Sequence, residues 1–149
     1  MANIAWEMKE SVETSASRDF AWKFWTTVSN WVEPPAEFEL RGPFQAGSRG
    51  VTRFPGQAPI EWFLRVVTPP TAATIVMPLA GADLLFEWRF DDLPDGRTRI
   101  SQRVVLEGER ANIYLSQVAS TFGVNLPDGM KKIASAMAEA HARQAGTHS

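Results

Sequence analysis

The sequence contains no cysteine. A disulfide framework, a thiol nucleophile and a thiolate metal site are therefore all excluded. Histidine is scarce too: His141 and His148 are the only two, and the second sits in the C-terminal tail. One positioned histidine with no Asp or Glu partner close in sequence does not make a metal site, and no cofactor is expected. No apolar run approaches the roughly 20 residues that a membrane helix needs. The opening MANIAWEMKE has no basic stretch followed by an apolar one, so no signal peptide is visible and a cytoplasmic location is the expectation. Neither sign of charge dominates: 15 basic and 17 acidic residues are interspersed, for a net charge of −2. That balance argues against a nucleic-acid partner. The glycines of 47–50 open no phosphate loop, and no GxSxG elbow occurs.

What the chain does have is aromatic area of one kind, with six Trp and nine Phe against a single Tyr. Large flat apolar side chains suit a packed core or a pocket for a flat ligand. At 149 residues the chain is read as one domain, 1–149, long enough to bury roughly two thirds of its unfolded surface.

Residues 5–13 alternate, with Trp6, Met8 and Val12 on one side and Glu7, Lys9, Ser11 and Glu13 on the other, which predicts a half-buried strand. Ser15 and Ser17 then offer N-caps, Asp19 occupies a first turn, and Phe20, Ala21, Phe24, Trp25 and Val28 follow at helical spacing. Pro34 and Pro35 would stop that helix. From Glu37 to Gly108, turn signals at Gly42-Pro43, 47–50, Pro55-Gly56, Pro69-Pro70, Gly81 and 94–96 separate six short β-prone runs. These are 37–41, 49–54, 60–67, 73–78, 84–92 and 97–107. No helix-length segment interrupts them, so parallel βαβ units are excluded and an antiparallel meander is expected.

The last hairpin can be registered from sequence. Leu84, Phe86, Trp88 and Phe90 alternate with Glu87, Arg89 and Asp91 on one strand; Ile100, Gln102, Val104 and Leu106 alternate with Arg99, Ser101 and Arg103 on the other. Opposed residues share a face. A three-residue Pro94-Asp95-Gly96 loop pairs Phe90 with Ile100, Trp88 with Gln102 and Phe86 with Val104, whereas a two-residue turn would mix the faces. After Gly108 the pattern is helical. Ile113, Leu115, Val118 and Phe122 mark a first segment; Met130, Ile133, Met137 and His141 mark a face of a second. Gly123, Asn125 and Pro127 predict a kink or short break between them, with Asn125 and Asp128 at capping-box spacing.

Strand, helix, six-strand meander and long final helix is the element order of the helix-grip fold. The stretches SVETSASRDFAWKFWTTVSNW (11–31), FELRGPFQAGSRGVTRFPG (38–56), FEWRFDDLPDGRTRISQRVVLEG (86–108) and NLPDGMKKIASAMAEA (125–140) resemble the START-like (SRPBCC) superfamily. Within it they resemble the bacterial polyketide cyclase/dehydrase-type domains. The resemblance implies an α+β fold, a curved antiparallel sheet of six to seven strands around a long C-terminal helix, with a ligand cavity between them. It does not settle activity, because members of that superfamily carry lipids, bind hormones, cyclise polyketides or assist other proteins.

Strand parity independently selects the side chains that would face such a cavity: Trp62, Leu64, Phe86, Trp88, Ile100, Gln102, Val104, Met130, Ile133 and Met137. Gln102 is the polar exception; it would either orient a ligand carbonyl or hydroxyl, or serve as a structural amide. Glu10 shares inward parity with Met8 and Val12, where a carboxylate could act as general acid or base unless it lies at the solvated rim. His141 is the one imidazole able to reach a cavity mouth. Two functions follow. The first is a binding protein, monomer or homodimer, for a small, largely apolar, lipid-like or aromatic molecule. The alternative is a cyclase, aromatase or dehydratase using Glu10, Gln102 or His141. The basic side chains of the outer face, Arg65, Arg89, Arg99 and Arg103, alternate with Glu61, Glu87 and Asp91 and are expected to be solvated and cross-strand paired.

Overall fold

The alternating segment near the N-terminus forms β1 (Ile4–Thr14). Ser17 accepts from the Phe20 backbone N–H at 3.3 Å and so starts α1 (Arg18–Thr26), with Asp19 in the first turn. The helix ends before the prolines. Thr26 and Thr27 donate their hydroxyls back to the Trp22 and Lys23 carbonyls, and Thr27 leaves helical geometry. Val28 therefore falls in a short 3-10 turn, Val28–Asn30, instead of continuing the apolar face. The buried face of α1 is Ala21, Trp22 and Trp25, with Phe20 and Phe24 half-buried. The computed structural model describes residues 4–31 and 34–147.

The meander is β2 (Glu37–Arg41), β3 (Arg49–Arg53), β4 (Ile60–Thr68), β5 (Ala72–Leu79), β6 (Ala82–Asp92) and β7 (Thr98–Glu107). With β1 they make one seven-stranded antiparallel sheet in the order β1-β7-β6-β5-β4-β3-β2. The β6–β7 hairpin has the register read from the sequence: Phe90 faces Ile100, Trp88 faces Gln102, Phe86 faces Val104. Leu93 and Arg97 close the loop through a backbone bond of 2.9 Å, and Gly96 takes φ +84°, which only glycine adopts without strain. Irregularities in the pairing at Ile4/Trp6 and at Leu64/Val66 were not legible. The second turns both Arg65 and Val66 to the exposed side and restores Val67 to the core side.

A 3-10 turn, Ala111–Tyr114, leads into α2, which runs unbroken over Leu115–Thr147. The break expected at Gly123–Pro127 does not occur. Pro127 removes the N–H that would bond the Gly123 carbonyl, yet Val118, Leu126, Met130, Ala134 and Met137 are all buried at near-helical spacing on both sides of it. That continuous apolar stripe carries the helix through the proline. Asn125 and Asp128 are exposed within it and start no new helix. Ile113, read as part of a helical face, is 69% exposed in the 3-10 turn.

The helix lies along β1, with further contacts to β7 and α1. The Thr14 hydroxyl donates to the Ala134 carbonyl at 2.9 Å, tying α2 to β1, and that of Thr98 donates to the Ala16 carbonyl at 2.8 Å, tying β7 to the segment that leads into α1. The buried stripe centres on Met130, Ala134 and Met137, so Ile133, expected at its middle, is half-buried at its flank. Met130→Ala should cost about 2–5 kcal/mol in urea melts. Lys132→Ala, on the exposed face, should cost under about 0.5 kcal/mol.

Candidate functional site

The inner face of the sheet can be read along its cross-strand rows. One row runs Met8, Val104, Phe86, Ile75, Leu64; the next runs Glu10, Gln102, Trp88, Ala73. Leu64, Ile100 and Val104 are sealed into the core with Met130 and Met137. Phe86 and Trp88 are half-buried, as are Met8, Glu10 and Ile133. Phe86 meets Phe122 of α2 edge-on at 5.4 Å.

Trp88 and Trp62 are joined by two further indoles. Trp88 packs on Trp25 at 4.9 Å, Trp25 on Trp31 at 6.0 Å, and Trp31 on Trp62 at 5.6 Å, with ring planes 31–36° apart. This ladder runs from β6 over α1 and the 3-10 turn to β4. Trp62 lies across Gly50, and its Nε1–H donates to Thr52 Oγ1 at 3.0 Å. Trp31 Nε1–H donates to the Trp25 carbonyl at 2.6 Å. Trp62 is thus a buried member of the packing with its one polar atom already satisfied. Trp25 and Trp31 pack α1 and the turn after it and also meet the inner sheet face.

Gln102 is only 7% exposed, yet no hydrogen bond reaches its amide among the described residues. The amide is not sealed either, since among described residues only Arg18 Nε is both fully enclosed and unpartnered. Glu10 stands directly opposite Gln102 across β1 and β7, with Trp88 on Gln102's other side. Glu10 has no ion pair or side-chain hydrogen bond among the described residues. Met8, Glu10, Phe86 and Trp88 are half-buried and lie around Gln102 on the inner face.

His141 does not join this group. The α2 helix and β1 run the same way and cross at Thr14–Ala134. Glu10 lies four residues before that tie, about 13 Å along the strand, and His141 seven residues beyond it, about 10 Å along the helix. His141 instead meets the edge of Phe20 on α1 at 4.9 Å.

Two surface depressions lie elsewhere. One, about 450 Å³, is lined by Thr26, Val28, Ser29, Phe38, Leu40, Gly42, Pro43 and Phe44. The other, about 490 Å³, is lined by Val28, Ser29, Trp31, Pro34, Pro35, Ala36, Glu37 and Phe38. Both are open to solvent, and neither includes any of the ten side chains that parity selects.

On the outer face the charges pair across strands. Arg103 bonds Glu87 at 2.9 Å and also Glu7, and these bonds raise its pKa above the usual arginine value. Arg97 and Arg99 both reach Glu13. Between the charges a buried apolar patch, Val76, Leu85 and Val105 with Phe63, crosses the outer face, which was read as charged and solvated.

Structure comparison places this architecture. Norcoclaurine synthase of Thalictrum flavum, as a point mutant with a transition-state analogue, superposes with a TM-score of 0.71 at 14% identity, over 95% of this chain and 98% of that one. The chain has the helix-grip fold. The same enzyme in complex with dopamine and hydroxybenzaldehyde gives 0.69 at 14% identity, over 94% and 89% of the two chains. A protein from Arthrobacter aurescens gives 0.66 at 16%, over 89% and 86%. No family model matches the chain, and no curated protein matches its sequence. At these identities the helix-grip likeness is one of fold; activity and ligand have to be argued from the residues. Among the described residues no helix is long and apolar enough to cross a membrane.

Proposed function

We propose that the chain, acting as a single domain, binds a small, largely apolar molecule, aromatic or lipid-like, in a crevice between the inner sheet face and α2. The observation that carries this is Gln102: a nine-tenths buried amide on an apolar face, with no hydrogen-bond partner among the described residues and half-buried aromatic neighbours. The amide has no protein partner among the described residues yet is not sealed from solvent, so its hydrogen-bonding capacity is open to a ligand polar atom. Ligand pockets are built this way, apolar walls around a few orienting polar groups. In the same fold, norcoclaurine synthase was crystallised with two small aromatic molecules, dopamine and hydroxybenzaldehyde. Of the ten side chains selected by parity, Trp88, Phe86, Ile133 and Gln102 are the contact residues in this reading. Leu64, Ile100, Val104, Met130 and Met137 form the wall behind them, and Trp62 braces the far end of the ladder.

Burying about 300 Å² of apolar ligand surface is worth roughly 7 kcal/mol at about 25 cal/mol per Å². Association losses remove several kcal/mol of that, so the apolar contact alone gives affinity weaker than micromolar, and polar contacts have to supply the rest. Native mass spectrometry of the protein purified from its host should show a bound small molecule, and Gln102→Leu should weaken that ligand by about 1–3 kcal/mol. If Gln102→Leu lowers stability and leaves affinity unchanged, the amide is structural and the crevice loses its polar anchor.

The second reading, an enzyme of the polyketide cyclase, aromatase or dehydratase type, is favoured by one observation: the carboxylate of Glu10 opposite Gln102 on the inner face. It requires Glu10 to move a proton to or from the ligand, so Glu10→Gln would abolish turnover while retaining binding.

A further inference from the structure

The carboxylates of this sheet are mostly on its outer side, where Glu37, Glu61, Asp83 and Glu107 carry no ion pair among the described residues. Glu7, Glu13, Glu39, Glu87 and Asp91 each pair with an arginine on the outer face. Asp92, exposed at the end of β6, pairs with Arg18. Glu10 alone is half-buried on the inner face with no cation opposite it among the described residues. The α2 side chains turned toward the sheet are apolar, Leu126, Met130, Ala134 and Met137, while Lys131 and Lys132 are exposed. A carboxylate drawn partly out of water with no counter-charge lacks what would compensate it.

Two neighbours say what would. The Gln102 amide is directly across the strand pair from Glu10, with Cβ atoms about 5 Å apart at such positions, and its oxygen is free to accept. Trp88, on the other side of Gln102, has a half-buried indole. A carboxylate, an amide oxygen and an aromatic face together complement a group that donates several hydrogen bonds and carries positive charge. The geometry points to a protonated amine borne on an aromatic skeleton as the class of ligand this crevice takes. The ammonium would lie between Glu10 and Gln102, and the ring against Trp88 and Phe86. This rests on the crevice being the binding site, as proposed above.

Three probes of similar shape separate the two ideas: 2-phenylethylamine, 2-phenylethanol and phenylacetate, titrated calorimetrically into the full chain and into Glu10→Gln. Against the folded wild type the amine should bind about tenfold or more tighter than the alcohol, and phenylacetate weakest. In Glu10→Gln the amine should fall to the level of the alcohol, with the alcohol unchanged. Equal binding of amine and alcohol to the wild type, or an equal loss of both in Glu10→Gln, overturns the amine assignment and leaves the crevice standing. If none of the three binds either protein, the crevice reading fails and takes this assignment with it. Thermal melts should show Glu10→Gln folded and at least as stable as the wild type, because the glutamine removes an uncompensated, partly buried charge and no internal bond.

Discussion

Trp25→Ala should lower the unfolding free energy by about 4–5 kcal/mol, near the top of the range for large-to-small core changes. The indole is 1% exposed and touches five rings, those of Trp22, Trp31, Phe44, Trp88 and Phe90, at centroid distances of 4.9–6.0 Å. Removing it takes away the link between Trp88 and Trp31, so the two halves of the ladder lose their common partner. The surroundings cannot close over the gap without moving α1 as a unit. Aromatic pairs add about 0.5–1.5 kcal/mol beyond their buried area. For a domain with a total stability of about 5–15 kcal/mol this is a large share, and urea melts should show it as a lower midpoint. Lys23→Ala, on the exposed side of the same helix, should cost under about 0.5 kcal/mol. A loss below about 1 kcal/mol at Trp25 would mean that the ladder does not hold α1 to the sheet.

Gly50→Ala is the second large effect, and it comes from adding atoms. A Cβ at Gly50 would lie 2.2 Å from Trp62 Cη2 and 2.3 Å from Cζ2. The ring has no easy escape, because its N–H is bonded to Thr52 and its face rests on Trp31. Overpacking of this kind costs about 1–3 kcal/mol, and a ring that tilts away would also leave a buried indole N–H unpaired at a cost of about 1–3 kcal/mol. A total of about 3–4 kcal/mol is expected. Trp62→Phe in the Gly50→Ala background should recover part of that loss, since the smaller ring vacates the contested space. A double-mutant cycle reads this as a coupling energy. If the two changes simply add, the collision at Gly50 is not the source of the effect.

The two variants also bear on how the site is built. Trp62 was picked out by parity as a wall of the cavity, and parity was right about the face. It could not say what stood in front of that face. The helical spacing of α1 places Trp25 on an apolar side, but its meeting with Trp88 depends on how α1 crosses the sheet. That crossing is set by contacts between residues far apart in sequence, such as Thr98 with Ala16. Trp31 follows a turn whose position depends on hydroxyls of Thr26 and Thr27 capping α1 early. The same limit explains Pro127. Locally, Gly123–Pro127 is a helix stop, and only the buried stripe on either side overrides it.

By itself the sequence determined the strands, their antiparallel order as a meander, the register of the β6–β7 hairpin and hence the row that sets Trp88 beside Gln102. These follow from short-range rules: a side-chain period of two, a loop whose glycine must take positive φ, and the absence of a helix within the meander. Parity also put Glu10 on the inner face. Only the tertiary structure decided that Glu10 stands opposite Gln102, because β1 reaches β7 from the far end of the chain and its register depends on long-range pairing. It likewise decided that His141 lies against Phe20, away from Glu10, and that four indoles close one end of the inner face. Each of these is a matter of where a helix rests on a sheet. Periodicity shows which face of an element is apolar, but the apolar area it offers can be buried at many positions along the sheet. The choice among them is made by packing shape and by a few buried hydrogen bonds such as Thr14 to Ala134.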